Sequence, residues 1–413
     1  GAGCVAADRD GNEVEIACEA KDPLCAYVFK TVADPFVGKM SYVKVVSGTL
    51  KADSPVVNSR TGEPERMGKL VFVKGKKQTD AAEIGAGDIG AITKLPAAQT
   101  GDTLCAPGRV VSLPRPEFPR PTLSMAIKVK QKGDESKISG ALQRLMEEDP
   151  TIRVEKNVET TESVLSGLGE LHLEVIARKL ASKFGAECVL QFPKIPYRES
   201  IRKKIDVQGR HKKQSGGHGQ FGDVWIEFRP NDDPTDTEFH FEDAVVGGVV
   251  PRNFIPAVEK GLRDNIKHGV LAGYPVVGLT AKLHDGSYHA VDSSEMAFKT
   301  AARIAFKKLV DASPVLLEPI YSVKVYVPDE YMGDVIGDLN KRRGRVMGMT
   351  PTGDGQQVVD AEVPMGEMSS YAIDLRSMTQ GRGSYSLKFV RYEEVPQMNQ
   401  AKIIEEAKKA EEG

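Results

Sequence analysis

Residues 209–225 read GRHKKQSGGHGQFGDVW, and residues 284–295 read HDGSYHAVDSSE. The first segment is a cationic run that passes into a glycine-rich loop bounded by residues typical of β-strands. Lysine and arginine neutralise phosphates, and glycine lets backbone N–H groups approach a polyanion closely. Residues 198–229 contain eight cations and four acids, whereas the whole chain has a net charge of −2. The sequence therefore predicts a local basic surface suited to nucleic acid, not binding by bulk charge.

The candidate contact residues lie in three places. The first tip loop consists of Lys212, Lys213, Gln214, Ser215, Gly216, Gly217, His218, Gly219 and Gln220. The second tip loop consists of Gly286, Ser287, Tyr288 and His289. The third place is a basic run, which we expect to have little acid nearby, together with a later Gly–Arg site: Lys341, Arg342, Arg343, Arg345 and Arg382. Each group has a plainer alternative, an ordinary hairpin tip or a solvated helix end.

Composition places the chain among soluble globular proteins. The 413 residues are 40% hydrophobic and 28% charged, which is ordinary for such proteins, and their number suggests three or four domains. Five cysteines without a CxxC pair favour reduced thiols and a cytoplasmic location. No uninterrupted apolar stretch is long enough to cross a bilayer, so we expect no membrane partner, and we expect no obligate oligomer.

The pattern of apolar residues predicts a multidomain α+β fold. Short strands separated by glycines predict an N-terminal β-barrel, and a proline-rich segment predicts an extended linker. Two later regions each read as a ferredoxin-like βαββαβ unit, with an elongated α+β domain that carries both tip loops between them. The predicted divisions are the barrel at 1–108, the linker at 109–122, the ferredoxin-like domains at 123–196 and 316–396, the tip domain at 197–315 and a charged tail at 397–413.

Helical periodicity identifies the faces that should be buried. In the first ferredoxin-like unit, one face of a helix that should end before Asp149 carries the apolar residues Ile138, Leu142, Leu145 and Met146. In the tip domain, a helix near 292–310 is expected to bury a stripe of four residues, namely Met296, Thr300, Ile304 and Leu309. The DSSE at 292–295, at the start of this helix, is typical of an N-cap followed by an acidic first turn.

The residue types and their spacing argue against several kinds of catalytic or cofactor site. No P-loop or NKxD motif occurs, so we predict that the chain is not an enzyme and neither binds nor hydrolyses GTP. A metal site formed by His284, Asp285, His289 and Asp292 fits no common zinc spacing. Glu170 and His172, two residues apart on a helix, point to different faces and do not form a catalytic pair.

Long phrases of the chain resemble elongation factor G, the bacterial ribosomal translocase of the translational GTPase family. QSGGHGQFG at 214–222 and GSYHAVDSSEMAF at 286–298 resemble the two tip loops of its domain IV. Further matching phrases occur in the family's order: SGLGELHLEVI at 166–176, GGVVPRNFIPAVEKG at 247–261, VLLEPIYSVKV at 315–325 and EYMGDVIGDLNKRRGRVMGM at 330–349. The resemblance covers nearly the whole chain and corresponds to domains II to V without the GTPase domain. One departure is His218, where the family usually carries arginine.

This resemblance implies a function on the ribosome. Domain IV would enter the decoding-site A site, where His289 contacts the tRNA–mRNA region, and the basic residues of domain V would contact ribosomal RNA. The implied partners are the rRNA of both subunits, A-site tRNA and mRNA. GTP and Mg would belong to the missing GTPase domain of the parent, and no cofactor is expected in this chain. The alternatives are an elongation factor G-like paralogue, a ribosomal protection protein, or a stand-alone RNA-binding or assembly module without a GTPase.

Overall fold

A computed structural model of the chain describes residues 3–34, 37–214 and 217–412. These residues fold into two compact units, which divide after Lys194. Both units combine helices with sheets, so the multidomain α+β class predicted from the sequence is confirmed. In the part that the structure describes, no helix is long and apolar enough to cross a membrane.

The first unit begins with barrel-like antiparallel strands. Ala26 and Val28 on one strand and Val43 and Val45 on its neighbour point into the same core and are fully buried. The main sheet has the order β7-β6-β12-β3-β4-β11-β8-β9, while β1 pairs with β2 and β5 with β10. The strands are β1 (Cys4–Ala7), β2 (Glu13–Ile16), β3 (Cys25–Asp34), β4 (Gly38–Ser47), β5 (Thr49–Lys51), β6 (Val56–Asn58), β7 (Pro64–Glu65), β8 (Leu70–Lys74), β9 (Lys77–Ala81), β10 (Glu83–Gly85), β11 (Ile89–Thr93) and β12 (Thr103–Cys105).

The proline-rich segment that follows is anchored at its start. Ser112 and Ala7 exchange backbone hydrogen bonds of 2.8 and 2.9 Å, and the neighbouring Val111 and Leu113 are buried beside them. Residues 114–121, all of which the structure describes, form neither helix nor strand. Proline fixes φ and supplies no backbone donor, which explains an extended path without a sheet partner.

A ferredoxin-like module completes the first unit. Its antiparallel sheet has the order β14-β15-β13-β16, which is the arrangement of a split βαβ motif. The predicted stripe is confirmed for Ile138, Leu142 and Leu145, which are buried, whereas Met146 is only half-buried. The helix ends immediately before Asp149, as expected. The elements are β13 (Leu123–Val129), α1 (Glu135–Glu148), β14 (Arg153–Lys156), β15 (Ser163–Gly167), α2 (Glu170–Phe184) and β16 (Cys188–Gln191).

The second unit opens with an edge strand and the tip domain. The sheet of this domain has the order β18-β19-β21-β20, in which β20 runs parallel to β21. Helices α3 and α4 pack against the core that β19 and β21 supply. The elements are β17 (Arg198–Ile201), β18 (Ile205–Lys213), β19 (Gln220–Pro230), β20 (Phe239–Asp243), α3 (Ile255–Asn265), β21 (Leu279–Ser287) and α4 (Glu295–Lys307), followed by a 3-10 turn, Lys308–Ala312.

The last module repeats the ferredoxin-like order predicted from the sequence. Its sheet runs β17-β22-β24-β23, with β25 on the other side of β22, so the strands β25-β22-β24-β23 match the arrangement of the first module. Val323, Val325 and Val327 face the helices and are buried. The elements are β22 (Pro314–Pro328), α5 (Met332–Lys341), β23 (Arg345–Pro351), β24 (Gln356–Pro364), α6 (Tyr371–Met378), β25 (Ser384–Glu394) and α7 (Gln397–Glu412).

The buried face predicted for α4 is wrong, apart from Leu309. Met296 is 67% exposed, and Thr300 and Ile304 are only half-buried. The helix instead buries its alanines and phenylalanines: Ala297, Phe298, Ala301, Ala302, Ala305 and Phe306. The reason is close packing, because small alanine side chains allow the helix backbone to lie directly against the sheet.

Candidate nucleic-acid interface

The first tip loop is the end of a long hairpin. Strands β18 and β19 pair without interruption from Ile205 opposite Phe228 to Lys213 opposite Gln220. Lys212, Lys213, Gln214, Gly217, His218 and Gln220 are exposed, and Gly219 is half-buried. Neither lysine has a carboxylate partner in the part of the chain that the structure describes. Of the predicted site residues, Ser215 and Gly216 lie outside the described residues.

The second tip loop follows β21 and begins with residues that support the hairpin. Ser287 donates its hydroxyl hydrogen to Asp223 at 2.6 Å, and Gly286 lies opposite Val224 in the sheet. Gln208 donates to the other oxygen of the same carboxylate at 2.8 Å. Of this predicted group, Gly286 and Ser287 are half-buried at the end of strand β21, whereas Tyr288 and His289 follow the strand and are exposed.

Asp292 and Ser293 join the two loops into one structure. The Asp292 carboxylate accepts a hydrogen bond from Gly219 N at 3.0 Å, across 73 residues of sequence. Phe221 N donates to the backbone oxygen of Asp292 at 2.9 Å, and Ser293 donates its hydroxyl hydrogen to the backbone oxygen of Phe221 at 2.9 Å. The Ser293 hydroxyl also accepts from His289 N at 2.9 Å. We call these contacts the tip latch.

His289 is held by the same turn. Val291 N and Asp292 N approach its Nδ1 at 3.3 and 3.2 Å, so Nδ1 acts as an acceptor and the ring proton lies on Nε2. The Asp292 carboxylate lies 3.4 Å from Nδ1. The ring lies 6.4 Å from that of Phe221, whose face is covered by the Arg210 guanidinium at 5.6 Å. The tip thus presents an imidazole N–H donor beside a cation–aromatic pair.

The backbone of helix α4 lies directly against both strands of the hairpin. A Cβ atom at Gly209 would overlap the carbonyl oxygen of Ala301, and one at Gly222 would lie 2.5 Å from the carbonyl oxygen of Ala297. Glycine is required at both positions because the helix backbone occupies the space of a side chain. Ser294 caps this helix by accepting a hydrogen bond from Ala297 N at 3.2 Å, so the predicted N-cap is confirmed.

The basic run of the last module is surrounded by acids, contrary to the expectation of few acids near it. Arg343 forms a bidentate ion pair with Glu318 at 2.8 and 2.9 Å, and it also pairs with Glu367 at 3.1 Å. Hydrogen bonds to these carboxylates outweigh desolvation and raise the pKa of Arg343. The partners are distant in sequence, so only the fold brings them to the arginine.

The other cations of this group differ in how far they are engaged. Arg342 binds Asp338 at 2.7 Å and Asp374 at 2.6 Å. Arg382 pairs with Glu330 at 2.6 Å, whereas Arg345 lies 3.9 Å from Glu393. Lys341 and Arg345 are exposed and are the members best placed to contact a partner.

Comparison with known families accounts for most of the chain. Residues 23–107 match the family model for elongation factor G domain 2, and 118–191 match that for domain III. Residues 193–313 match elongation factor G, domain IV, and 315–403 match the elongation factor G C-terminus. The chain belongs to the elongation factor G family. The latched loops therefore lie in domain IV, and the basic run lies in the C-terminal domain.

A solved structure supports the same assignment of fold. A crystal structure of a protein from Thermus thermophilus matches with 40% sequence identity and a TM-score of 0.75. The match covers 94% of this chain and 58% of the other, so the chain spans little more than half the length of that protein.

The residues considered for a metal site or a catalytic pair have other structural explanations. His284 pairs with Asp206 at 2.8 Å, away from the turn that holds His289. Among the described residues, no three His, Cys, Asp or Glu side chains are grouped so that they could hold a metal ion. His172 donates from Nε2 to Asp149 at 2.8 Å while its Nδ1 accepts from Leu168 N at 3.0 Å, which fixes the start of α2.

Neither the tip latch nor the packing of His289, Phe221 and Arg210 was predicted from the sequence. Asp292 and Ser293 were assigned only to the helix cap, and neither Phe221 nor Arg210 was assigned to the tip as a partner of His289. The only sequence signal was the presence of DSS shortly after the second loop, because contacts between distant loops leave no periodic pattern.

Proposed function

We propose that this chain is the ribosome-binding portion of a translation elongation factor that promotes movement of tRNA and mRNA. Domain IV would enter the A site with its two loops foremost and so favour movement in one direction. The observation that supports this most directly is the tip latch, which turns two loops into one exposed, cationic end on a rigid hairpin.

Each part of the tip has a role in this proposal. Lys212 and Lys213 would contact backbone phosphates, since they are exposed and without carboxylate partners among the described residues. His289 would donate from Nε2 to the tRNA–mRNA backbone, and Tyr288 offers an exposed ring to a base. Lys341, Arg345 and Arg382 would contact ribosomal RNA from the C-terminal domain, where Arg342 and Arg343 hold the run in place.

Nucleotide chemistry would come from another domain of the parent protein. The Gly–Lys steps of this sequence are followed by Met, Leu or Lys, so none of them provides the Ser/Thr hydroxyl of a P-loop. GTP and Mg would be bound by a GTPase domain, and its hydrolysis would drive rearrangements that this chain transmits. We further propose a cytoplasmic location, because the ribosome would be the partner.

Salt-dependent ribosome binding tests the proposal. The chain should co-sediment with 70S ribosomes, and its affinity should fall steeply as salt increases. Neutralising both loop cations, in Lys212→Gln/Lys213→Gln, should lower the slope of log K against log salt by about 2. The matched control is Lys402→Gln/Lys408→Gln, which removes the same number of charges from exposed positions of helix α7, away from the tip loops. Equal effects of the two variants would contradict a role for the tip.

A second experiment separates binding from movement. In a parent factor that carries the GTPase domain, His289→Ala should slow single-round translocation more than it weakens ribosome binding, since the imidazole acts at the tip and not in docking. Equal losses in both quantities would contradict this role for His289.

A further inference from the structure

A second basic surface lies on the tip domain, away from both loops. It is an open groove of about 930 Å³ along helices α3 and α4. Lys299, Arg303 and Lys307 line it at intervals of four residues, which places them about 6 Å apart along the helix axis. Arg303 and Lys307 are exposed, and neither has a carboxylate partner among the described residues. We call this surface the helical groove.

The far side of the groove carries one acid, which is paired with a cation of α4. Asp264 is the acid that lines it, and Lys299 binds its carboxylate at 2.6 Å. The hydrogen bond from Lys299 lowers the pKa of Asp264 despite desolvation, and the nearby charges of Lys267 and Lys260 act in the same direction. One carboxylate is therefore surrounded by lysines on both helices, and the groove keeps an excess of cations.

The outer face of α4 has no part in the core. The buried side chains of this helix are its alanines and phenylalanines, which face the sheet. The groove-lining cations stand on the opposite side together with the hydroxyl of Thr300, which already donates to Met296 O at 2.9 Å. Packing against the sheet does not use these cations, so Arg303 and Lys307 are accessible to a partner.

We propose that the helical groove binds the phosphate backbone of an RNA helix. Charge complementarity favours this occupant, because a row of cations at helical spacing can follow successive phosphates along one strand. This inference rests on the proposed ribosomal function for the source of the RNA, and it adds a contact that is independent of the tip. Domain IV would then be held along its side while its tip reaches the A site.

Binding to a short RNA duplex tests the groove without the ribosome. The full chain is titrated with a fluorescent RNA duplex of arbitrary sequence, about 18 base pairs long, at several salt concentrations, and anisotropy is measured. Arg303→Gln/Lys307→Gln should weaken binding roughly 10- to 60-fold at about 0.1 M salt and lower the salt slope by about 2. The control Lys402→Gln/Lys408→Gln should bind like the parent chain. Trp225, the single tryptophan of the sequence, verifies by fluorescence that the tip domain is folded in each variant.

The outcomes separate this inference from the proposed function. If Arg303→Gln/Lys307→Gln binds the duplex with the affinity and salt slope of the parent chain, the proposal that the helical groove binds RNA is wrong. The proposal that the tip binds the ribosome would be unaffected. Failure of the parent chain to bind ribosomes would overturn the proposed function. The duplex titration would still show whether the helical groove binds RNA. Binding of poly-glutamate at the groove without binding of the duplex would overturn the inference in favour of an acidic protein partner.

Discussion

Replacing Gly209 with alanine tests whether the backbone of helix α4 lies directly on the tip hairpin. The new Cβ would overlap the carbonyl oxygen of Ala301 and lie 2.7 Å from Ala305 N, both of which are backbone atoms. Backbone cannot move aside as a flexible side chain can, so the helix must shift from the sheet. Overpacking of this kind typically costs about 1–3 kcal/mol and occasionally more, and we expect about 3 kcal/mol here.

Trp225 makes this effect measurable in one domain. It lies in β19, and it is the only tryptophan of the sequence, so its fluorescence reports the unfolding of the tip domain alone. With a urea m-value of about 2 kcal/mol/M, the loss of about 3 kcal/mol should lower the midpoint by about 1.5 M.

A matched control adds one methyl group without overlap. Gly337 lies on α5 of the same unit, and a Cβ there would meet no atom within 4 Å. Gly337→Ala should leave the Trp225 midpoint unchanged. A Gly209→Ala midpoint equal to that of the parent chain would refute the reasoning that the helix backbone lies directly on the hairpin.

Other substitutions should have smaller, local effects. Ser294→Ala removes the N-cap of α4 and should cost about 1 kcal/mol in the Trp225 transition, whereas Ser294→Asp should restore most of it; equal midpoints would contradict the cap. Asp292→Ala breaks the tip latch, so hydrogen exchange at Gly219 N and Phe221 N should accelerate relative to the base of the hairpin, and unchanged protection would argue against the latch. Hydrogen bonds from Ser370 and Arg342 lower the pKa of Asp374, so its contribution to stability is present above the usual carboxyl range of about pH 4 and is lost as the pH falls below it. Calorimetry between about pH 2.5 and 6 should therefore show that the unfolding temperature falls less steeply with decreasing pH in Asp374→Asn than in the parent chain. An identical pH dependence in the two proteins would contradict this.

The sequence predicted the elements whose signal is periodic. Both ferredoxin-like orders follow from alternating and helical patterns, and Ile138, Leu142 and Leu145 are buried as that pattern requires. The buried face of α4 was missed because the pattern was read from large residues. The helix lies so close to Gly209 and Gly222 that alanines form its inner face.

The sequence indicated two candidate loops but not the contacts that join them. Both loops were found from their residue types, yet the latch depends on contacts between Asp292 and Gly219 that no local pattern encodes. The expectation that Arg343 has few acids near it failed for the same reason, since Glu318 and Glu367 reach it only through the fold. Ser287 was expected at the tip, whereas its hydroxyl donates a hydrogen bond to Asp223 in strand β19.

Chemical probing of ribosomal RNA tests the central claim most directly. The chain is bound to 70S ribosomes that carry a P-site tRNA and an open A site, and base reactivity in the small-subunit decoding region is compared with and without it. We predict protection in the decoding region by the parent chain and by Lys402→Gln/Lys408→Gln, with loss of that protection in Lys212→Gln/Lys213→Gln. Ribosome binding without any protection of the decoding region would contradict the placement of the latched tip in the A site.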